Sequence, residues 1–223
     1  MKRFSACLVI TAFTFITILI NTTTTFADSI VYDNTITPTY GVVFGSGSST
    51  ELGDEITLGG TDRIITDFIF YYNTFNVGDG LTAKIRFYKN DGQLGIPNTL
   101  LYDSGSFTLP VSDGIYTLND IFVEVPDSFT WTFSWETEPF ECIGWCMITP
   151  SFVSLLTYDP PVVGFSDNYY WSLDYYTSSW IKEEGASNFG VKIMATSIPE
   201  PSTLLLLGSG LIGLAGLRKR FKT

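Results

Sequence analysis

Residues 129–136 constrain the fold more than any other stretch of this chain. Their sequence, FTWTFSWE, alternates an aromatic side chain with Thr, Ser or Glu. Because successive side chains of a β-strand point to opposite faces of a sheet, this alternation predicts a strand with one aromatic and one polar face. The chain is therefore expected to contain a sheet that turns one face towards a core.

The same period of two recurs along the central part of the chain. Residues 63–72 are apolar on both faces, which predicts a central strand. Turn signals separate the runs, and no stretch between the terminal segments carries a convincing helical period. About ten strands at this spacing favour an all-β fold, a two-sheet antiparallel sandwich resembling a jelly roll. The other alternating runs are 83–88, 121–125, 169–176 and 189–195.

The first 27 residues have the layout of a secretory signal peptide. A charged start precedes an apolar region at 4–20, and the small residues Thr25 and Ala27 stand at −3 and −1 of a cleavage site. Cleavage before Asp28 is expected, after export through the Sec machinery. The alternative is an uncleaved N-terminal anchor.

The last 26 residues, 198–223, combine three unlike features in a fixed order. Pro199, Glu200 and Pro201 form an extended segment, because proline fixes φ and disfavours helix at the preceding residue. A short apolar run then predicts a transmembrane helix over about 202–217. Basic residues at 218–222 follow it and indicate the cytoplasmic side. The domain before this tail is therefore placed outside the inner membrane.

This tail resembles the PEP-CTERM sorting signal of Gram-negative bacteria. The resemblance implies that an exosortase-like enzyme cleaves near Pro199, Glu200 and Pro201. The precursor would be held transiently in the inner membrane and then passed to the cell surface or its exopolysaccharide matrix. The alternative is a plain C-terminal anchor with a proline-rich stalk. Residues 58–136 also resemble a domain common in PEP-CTERM proteins, which implies a β-sandwich and no catalytic residues. The matching stretches are 59–63, 86–88, 90–92, 100–105 and 125–126.

Residues 28–197 form the predicted domain between the two targeting segments, and this domain is strongly acidic. Six of the chain's 12 basic residues and one of its 23 acidic residues lie in the terminal segments, which leaves 22 acids against 6 bases and a net charge of −16. Such a surface repels nucleic acid and anionic lipid, so neither is an expected partner. It favours solubility, and a bound divalent cation is the alternative reading of the charge.

Catalysis through histidine is excluded, because the chain contains none. Cys142 and Cys146 are the cysteines outside the signal peptide, and two thiolates without histidine are a poor metal site. In an exported protein a disulfide across this short loop is expected. A nucleophilic cysteine is the alternative, but it would lack a histidine base. No metal and no cofactor are assigned.

Carboxylates and aromatic side chains remain as candidates for a binding or catalytic surface. On 169–176 one face, with Trp171, is expected in the core, and the other carries Tyr170 and Tyr176. Together with Trp180 these two tyrosines are possible carbohydrate contacts, although tyrosines that bridge core and solvent are the commoner case. The carboxylates that a glycoside hydrolase would need are Glu136, Glu138, Glu141, Asp167, Asp174, Glu183 and Glu184.

Two functions follow from these observations. The first is an exported, non-enzymatic surface or matrix protein that is sorted by an exosortase and binds carbohydrate. The second is an exported hydrolase that acts on polysaccharide through paired carboxylates.

Overall fold

The computed structural model describes residues 28–44, 49–75, 81–110, 114–136, 152–185 and 188–197. The predicted signal peptide, the sorting segment and the two cysteines lie outside these ranges. Within them, no helix is long and apolar enough to cross a membrane. The strands are β1 Ser29–Asp33, β2 Pro38–Phe44, β3 Ser49–Thr57, β4 Ile64–Phe75, β5 Leu81–Tyr88, β6 Leu100–Asp103, β7 Phe107–Leu109, β8 Gly114–Leu118, β9 Val123–Glu124, β10 Ser128–Glu136, β11 Phe152–Tyr158, β12 Phe165–Ser166, β13 Tyr169–Asp174, β14 Trp180–Glu184 and β15 Val191–Thr196.

These strands form two antiparallel sheets. The seven-stranded sheet has the order β1-β15-β4-β11-β2, and β8 and β9 also pair with β4. The eight-stranded sheet has the order β14-β13-β3-β10-β5-β6, with β12 on β3 and β7 on β5. The predicted all-β, two-sheet sandwich is confirmed. The strands outnumber the expected ten because several are only two to five residues long.

The core lies between the two sheets and is rich in aromatic side chains. Phe129, Trp131 and Phe133 of β10 are fully buried, as the alternation of 129–136 predicts. Across the interface, the ring centroid of Phe68 lies 5.1 Å from that of Trp131, and the centroid of Phe70 lies 5.6 Å from that of Phe133. Tilted and edge-on ring pairs at such distances add to the free energy gained by burying the rings. The aromatic face of β10 therefore joins the two sheets.

Strand β4 is central, as the two-sided apolar pattern of 63–72 predicts. It pairs with β15, β11, β8 and β9, and Ile65, Phe68 and Tyr72 are buried. Four partner strands leave most of its backbone hydrogen bonds inside the sheet.

The expected orientation of β13 is wrong. Ser172 lies opposite the core residue Leu52, and the ring of Tyr170 packs 5.6 Å from that of Phe189, so these side chains face inward. Trp171 lies opposite Gly53 on the outer face, where the missing side chain leaves room for the indole. Polar Ser172 tolerates the inner position because its hydroxyl donates a hydrogen bond of 3.1 Å to Glu183. Alternation located the strand but could not choose its face, since both sets of residues contain aromatics.

Candidate functional site

Two aromatic side chains meet above the outer face of the eight-stranded sheet. Tyr88 of β5 and Trp180 of β14 are both half-buried, and their ring centroids are 5.8 Å apart at 71°. Four strand spacings of about 4.8 Å separate β14 from β5. The rings can therefore meet only because the sheet curves and both side chains lean across its outer face towards the middle strand, β3. We call this region, together with the charged residues beneath it, the outer aromatic face.

The charged residues beneath these rings form an ion cluster around Arg86. Its Nη1 lies 2.7 Å from Oε2 of Glu51, and its Nε lies 2.8 Å from Oδ2 of Asp103. The side chain of Glu51 is only 4% exposed, that of Asp103 is 37% exposed, and the Thr132 hydroxyl also donates to Glu51. Charge-assisted contacts to two carboxylates hold a guanidinium in a fixed orientation. Asp103 is therefore the carboxylate of the cluster that a ligand can reach.

Burial and hydrogen bonds together set the pKa values of this cluster. Burial raises the pKa of the Glu51 carboxyl, although Thr132 and Arg86 both act to lower it. Hydrogen bonds from Arg86 and from the Gly105 amide outweigh burial at Asp103 and lower its pKa. Burial, with the nearby charge of Glu51, raises the pKa of Tyr88 to about 12. The Tyr88 hydroxyl therefore stays protonated at neutral pH and keeps its donor hydrogen.

The adjoining part of the same face is occupied by internal contacts. Lys182 places its Nζ 3.5 Å from the centroid of the Tyr169 ring, and the Tyr169 hydroxyl donates a 2.6 Å hydrogen bond to Glu55. Trp171 is buried, and its indole nitrogen has no hydrogen-bond partner among the residues that the structure describes. Since Lys182 covers the Tyr169 ring, the exposed part of the face is the Tyr88 and Trp180 region.

The three predicted carbohydrate contacts do not lie together. Tyr170 packs on the core, whereas Trp180 lies on the outer aromatic face. Tyr176 is 80% exposed in the turn after β13, with its ring 5.4 Å from that of Tyr175. Tyr88 is the residue that sequence reasoning missed, because its partner ring comes from a distant part of the chain.

The predicted carboxylate candidates are also dispersed. Oδ1 of Asp174 accepts hydrogen bonds from Tyr176 and Thr177 within its own turn, and the amide and hydroxyl of Thr177 lower the Asp174 pKa. Glu183 accepts from Ser172 on the inner side, and Asp167 and Glu184 are exposed. Glu138 and Glu141, and the side chain of Glu136, lie outside the described part of the chain. Among the described residues, no group of three acidic or cysteine side chains is placed to hold a metal ion.

A second polar cluster lies inside the sandwich around Asp54. This fully buried carboxylate accepts a 2.9 Å hydrogen bond from the amide of Phe189, and its Oδ1 lies 3.2 Å from the hydroxyl of Ser166. The same hydroxyl lies 2.9 Å from Oδ1 of Asn188. Tyr32 is also fully buried, and burial raises the pKa of its hydroxyl. Burial raises the pKa of Asp54 well above its ordinary range.

Comparison with known families identifies the tail of the chain. Residues 197–220 match the family model of the PEP-CTERM protein-sorting motif. The comparisons with curated proteins and with solved structures find no match. The match covers residues 197–220 alone, so it supports sorting through an exosortase-type pathway and says nothing about the role of the sandwich. The chain carries a PEP-CTERM sorting motif and is an exported, membrane-anchored precursor that an exosortase-type pathway sorts to the cell surface.

Proposed function

We propose that the sorted protein is a non-enzymatic component of the cell surface or its matrix, and that it binds polysaccharide on the outer aromatic face. The observation that carries this proposal is the pair of half-buried rings, Tyr88 and Trp180, above the ion cluster of Arg86. The sorting motif supports it, because the resemblance to PEP-CTERM proteins implies delivery to the cell surface or its exopolysaccharide matrix.

The chemistry of the face suits a sugar. The apolar faces of sugar rings stack on aromatic side chains, and their hydroxyl groups need fixed donors and acceptors nearby. Asp103 supplies an accessible acceptor, and the protonated hydroxyl of Tyr88 supplies a donor. Arg86 holds Asp103 in place, so little side-chain entropy is lost when a ligand binds.

One observation favours hydrolysis as a second candidate function. Glu51 and Asp103 contact the same guanidinium. The pKa of Glu51 is raised and that of Asp103 is lowered, as in glycoside hydrolases that pair a protonated general acid with an ionised carboxylate. Two features count against it. The Glu51 side chain is almost fully covered, and Arg86 lies between the carboxylates, where a substrate would have to bind.

Binding of matrix polysaccharide to the purified exported protein tests the proposal. Trp180→Ala and Tyr88→Ala should each weaken binding by about fivefold to tenfold, the equivalent of ~1–1.4 kcal/mol of lost ring stacking. Phe122→Ala is the matched control, because Phe122 is an exposed aromatic residue outside the eight-stranded sheet. Tyr176→Ala tests the predicted contact that lies in the turn.

Two results would contradict the proposal. Unchanged binding by both Trp180→Ala and Tyr88→Ala would exclude the outer aromatic face as the binding surface. Release of new reducing ends by the wild-type protein, abolished by Glu51→Gln, would establish the hydrolase instead.

A further inference from the structure

A groove of about 460 Å³ lies where the first strand of the sandwich, β1, pairs with the last strand, β15. Its walls include Asp28 just before β1 and Thr196 at the end of β15, two strands that pair side by side. Thr66 and Asp67 of β4 form another part of the lining. The groove thus lies at the end of the seven-stranded sheet from which the sorting tail departs.

A β-bulge in β4 supplies two of the lining residues. Ile65 pairs with Ala195 and Asp67 pairs with Met194, so β4 holds one residue more than β15 over this interval. Ile65 and Phe68 are both core residues. Because of the extra residue, two consecutive side chains, Thr66 and Asp67, lie between these core positions and line the groove.

The connection between β8 and β9 forms the rim. Asp120 and Phe122 have positive φ values of 57° and 49°, a region that non-glycine residues rarely adopt. The amide of Ile121 donates a 3.1 Å hydrogen bond to the Thr66 carbonyl, which ties the connection to β4. Phe122 is 65% exposed, so it is not held there by core packing.

The acidic lining of the groove favours a cationic ligand. Asp28, Asp67 and Asp120 line the groove, and none of the described residues that line it is basic. Thr66 is 6% exposed, and its hydroxyl is buried without a hydrogen-bond partner in the described ranges. An unpaired buried hydroxyl costs about 1–3 kcal/mol, which a ligand that donates a hydrogen bond would recover. Since the three carboxylates do not form a metal cluster, an ammonium or guanidinium group fits better than a metal ion.

The groove adjoins the sorting motif along the chain. The family match begins at residue 197, directly after Thr196 in the groove wall. Pro199 follows three residues later, at most about 10 Å of extended chain. A protein that binds Pro199 therefore comes within about 10 Å of Thr196, close enough for its surface to contact this groove.

We propose that the acidic groove is a docking site for a lysine or arginine side chain of the enzyme that recognises the sorting motif. This inference rests on sorting through an exosortase-type pathway. The groove attracts the basic side chain by charge, and the Thr66 hydroxyl accepts one of its hydrogen bonds. The contact would hold the extended motif in register with the enzyme.

Processing of the full-length chain in a host that contains the sorting enzyme tests the proposal. The double variant Asp67→Asn/Asp120→Asn keeps the shape of both side chains and removes two charges. Its rate of tail removal should fall by about tenfold, the equivalent of ~1.4 kcal/mol of lost charge pairing. Asp167→Asn is the matched control, because Asp167 is exposed next to β12 of the other sheet and should leave the rate unchanged.

A photo-crosslinker at position 122 gives an independent readout that does not depend on acidic variants. It should form an adduct with the tagged sorting enzyme, whereas a crosslinker at the more exposed Tyr176 should not. The proposal would be overturned if the double variant lost its tail at the wild-type rate and the crosslinker at position 122 gave no adduct. The sorting pathway itself would remain intact in that case. Retention of the tail by the wild-type chain would instead contradict the pathway itself.

The α-ammonium that signal-peptide cleavage would create at Asp28 is the competing occupant. In that case the double variant would lower the melting temperature of the cleaved chain while its tail was removed at the wild-type rate. That pair of results would also overturn docking of the enzyme.

Discussion

Replacing Asp54 by Asn should stabilise this protein at neutral pH. The geometry around Ser166 gives the reason. Asn188 donates from Nδ2 to Asp159 at 3.0 Å, which orients its oxygen towards Ser166. The Ser166 hydroxyl carries a single hydrogen and lies between that oxygen and Oδ1 of Asp54. Both contacts are satisfied only if Asp54 is protonated and donates to Ser166, which in turn donates to Asn188.

The cost of keeping this proton sets the magnitude. Burial raises the folded-state pKa of Asp54, and Glu55 and Asp159 act in the same direction. The hydrogen bonds that the ionised form would accept from the Phe189 amide and the Ser166 hydroxyl act to lower this pKa. In the unfolded chain the carboxyl titrates near ~3.9. A raised folded pKa gives stability that is fully present below the unfolded pKa and is lost as pH rises through the folded pKa. At pH 7 this loss has a ceiling of about 4 kcal/mol if the folded pKa exceeds 7.

Asparagine reproduces the protonated form without taking up a proton. Its oxygen can accept from the Phe189 amide, and its amide group can donate to Ser166. We expect Asp54→Asn to raise the free energy of unfolding by about 2 kcal/mol at pH 7, the equivalent of ~4–8 °C in Tm, and to give no gain near pH 4. Urea unfolding of the mature protein between pH 4 and 8 measures the difference.

Two controls separate charge from packing. Asp54→Ala leaves the buried Phe189 amide without an acceptor and should destabilise at every pH by about 1–3 kcal/mol. Asp167→Asn removes an exposed charge and should change stability by less than ~0.5 kcal/mol. If Asp54→Asn destabilises the protein at pH 7, Asp54 is ionised in the folded state and the proton assignment is wrong.

Three further predictions concern the ion cluster, the two cysteines and the N-terminus of the domain. Arg86→Ala should lower the free energy of unfolding by about 3 kcal/mol in urea, because Glu51 would be left buried without its cation. Adding Glu51→Gln should recover part of this loss, and a double variant no more stable than Arg86→Ala would contradict the reasoning. Cys142 and Cys146 should resist thiol labelling in denatured, unreduced mature protein and react after reductant, so full labelling without reductant would exclude the disulfide. Mass spectrometry of the exported form should find Asp28 at its N-terminus, and retention of Met1 would refute the cleavage site.

The strands that sequence reasoning located well are those whose pattern is local and one-sided. In β10 the aromatic residues alternate with small polar ones, and Phe129, Trp131 and Phe133 are buried as predicted. In β13 both faces mix aromatic and polar residues, so the alternation does not show which face turns towards the core. There the choice depends on a glycine in β3, Gly53, which accommodates Trp171.

The candidate sites could not be read from the sequence, because long-range pairing assembles them. Tyr88 and Trp180 meet through the curvature of the eight-stranded sheet. Asp28 and Thr196 become neighbours only when β1 pairs with β15. The β-bulge at Thr66 and Asp67 also escapes prediction, since 63–72 predicts one central strand and does not show where a residue is added. The sorting motif is the opposite case, because its function depends on the order of residues along the chain, and that order is visible in the sequence alone.

Sorting by cleavage near the PEP motif is the central claim, and the intact mass of the surface protein tests it most directly. The wild-type chain and a variant with Pro199, Glu200 and Pro201 changed to alanine are compared in a host that contains the sorting enzyme. The account predicts that the wild-type protein reaches the surface without its tail, while the variant stays in the inner membrane at full tail length. Equal tail removal in both chains would show that the motif is not what the enzyme recognises.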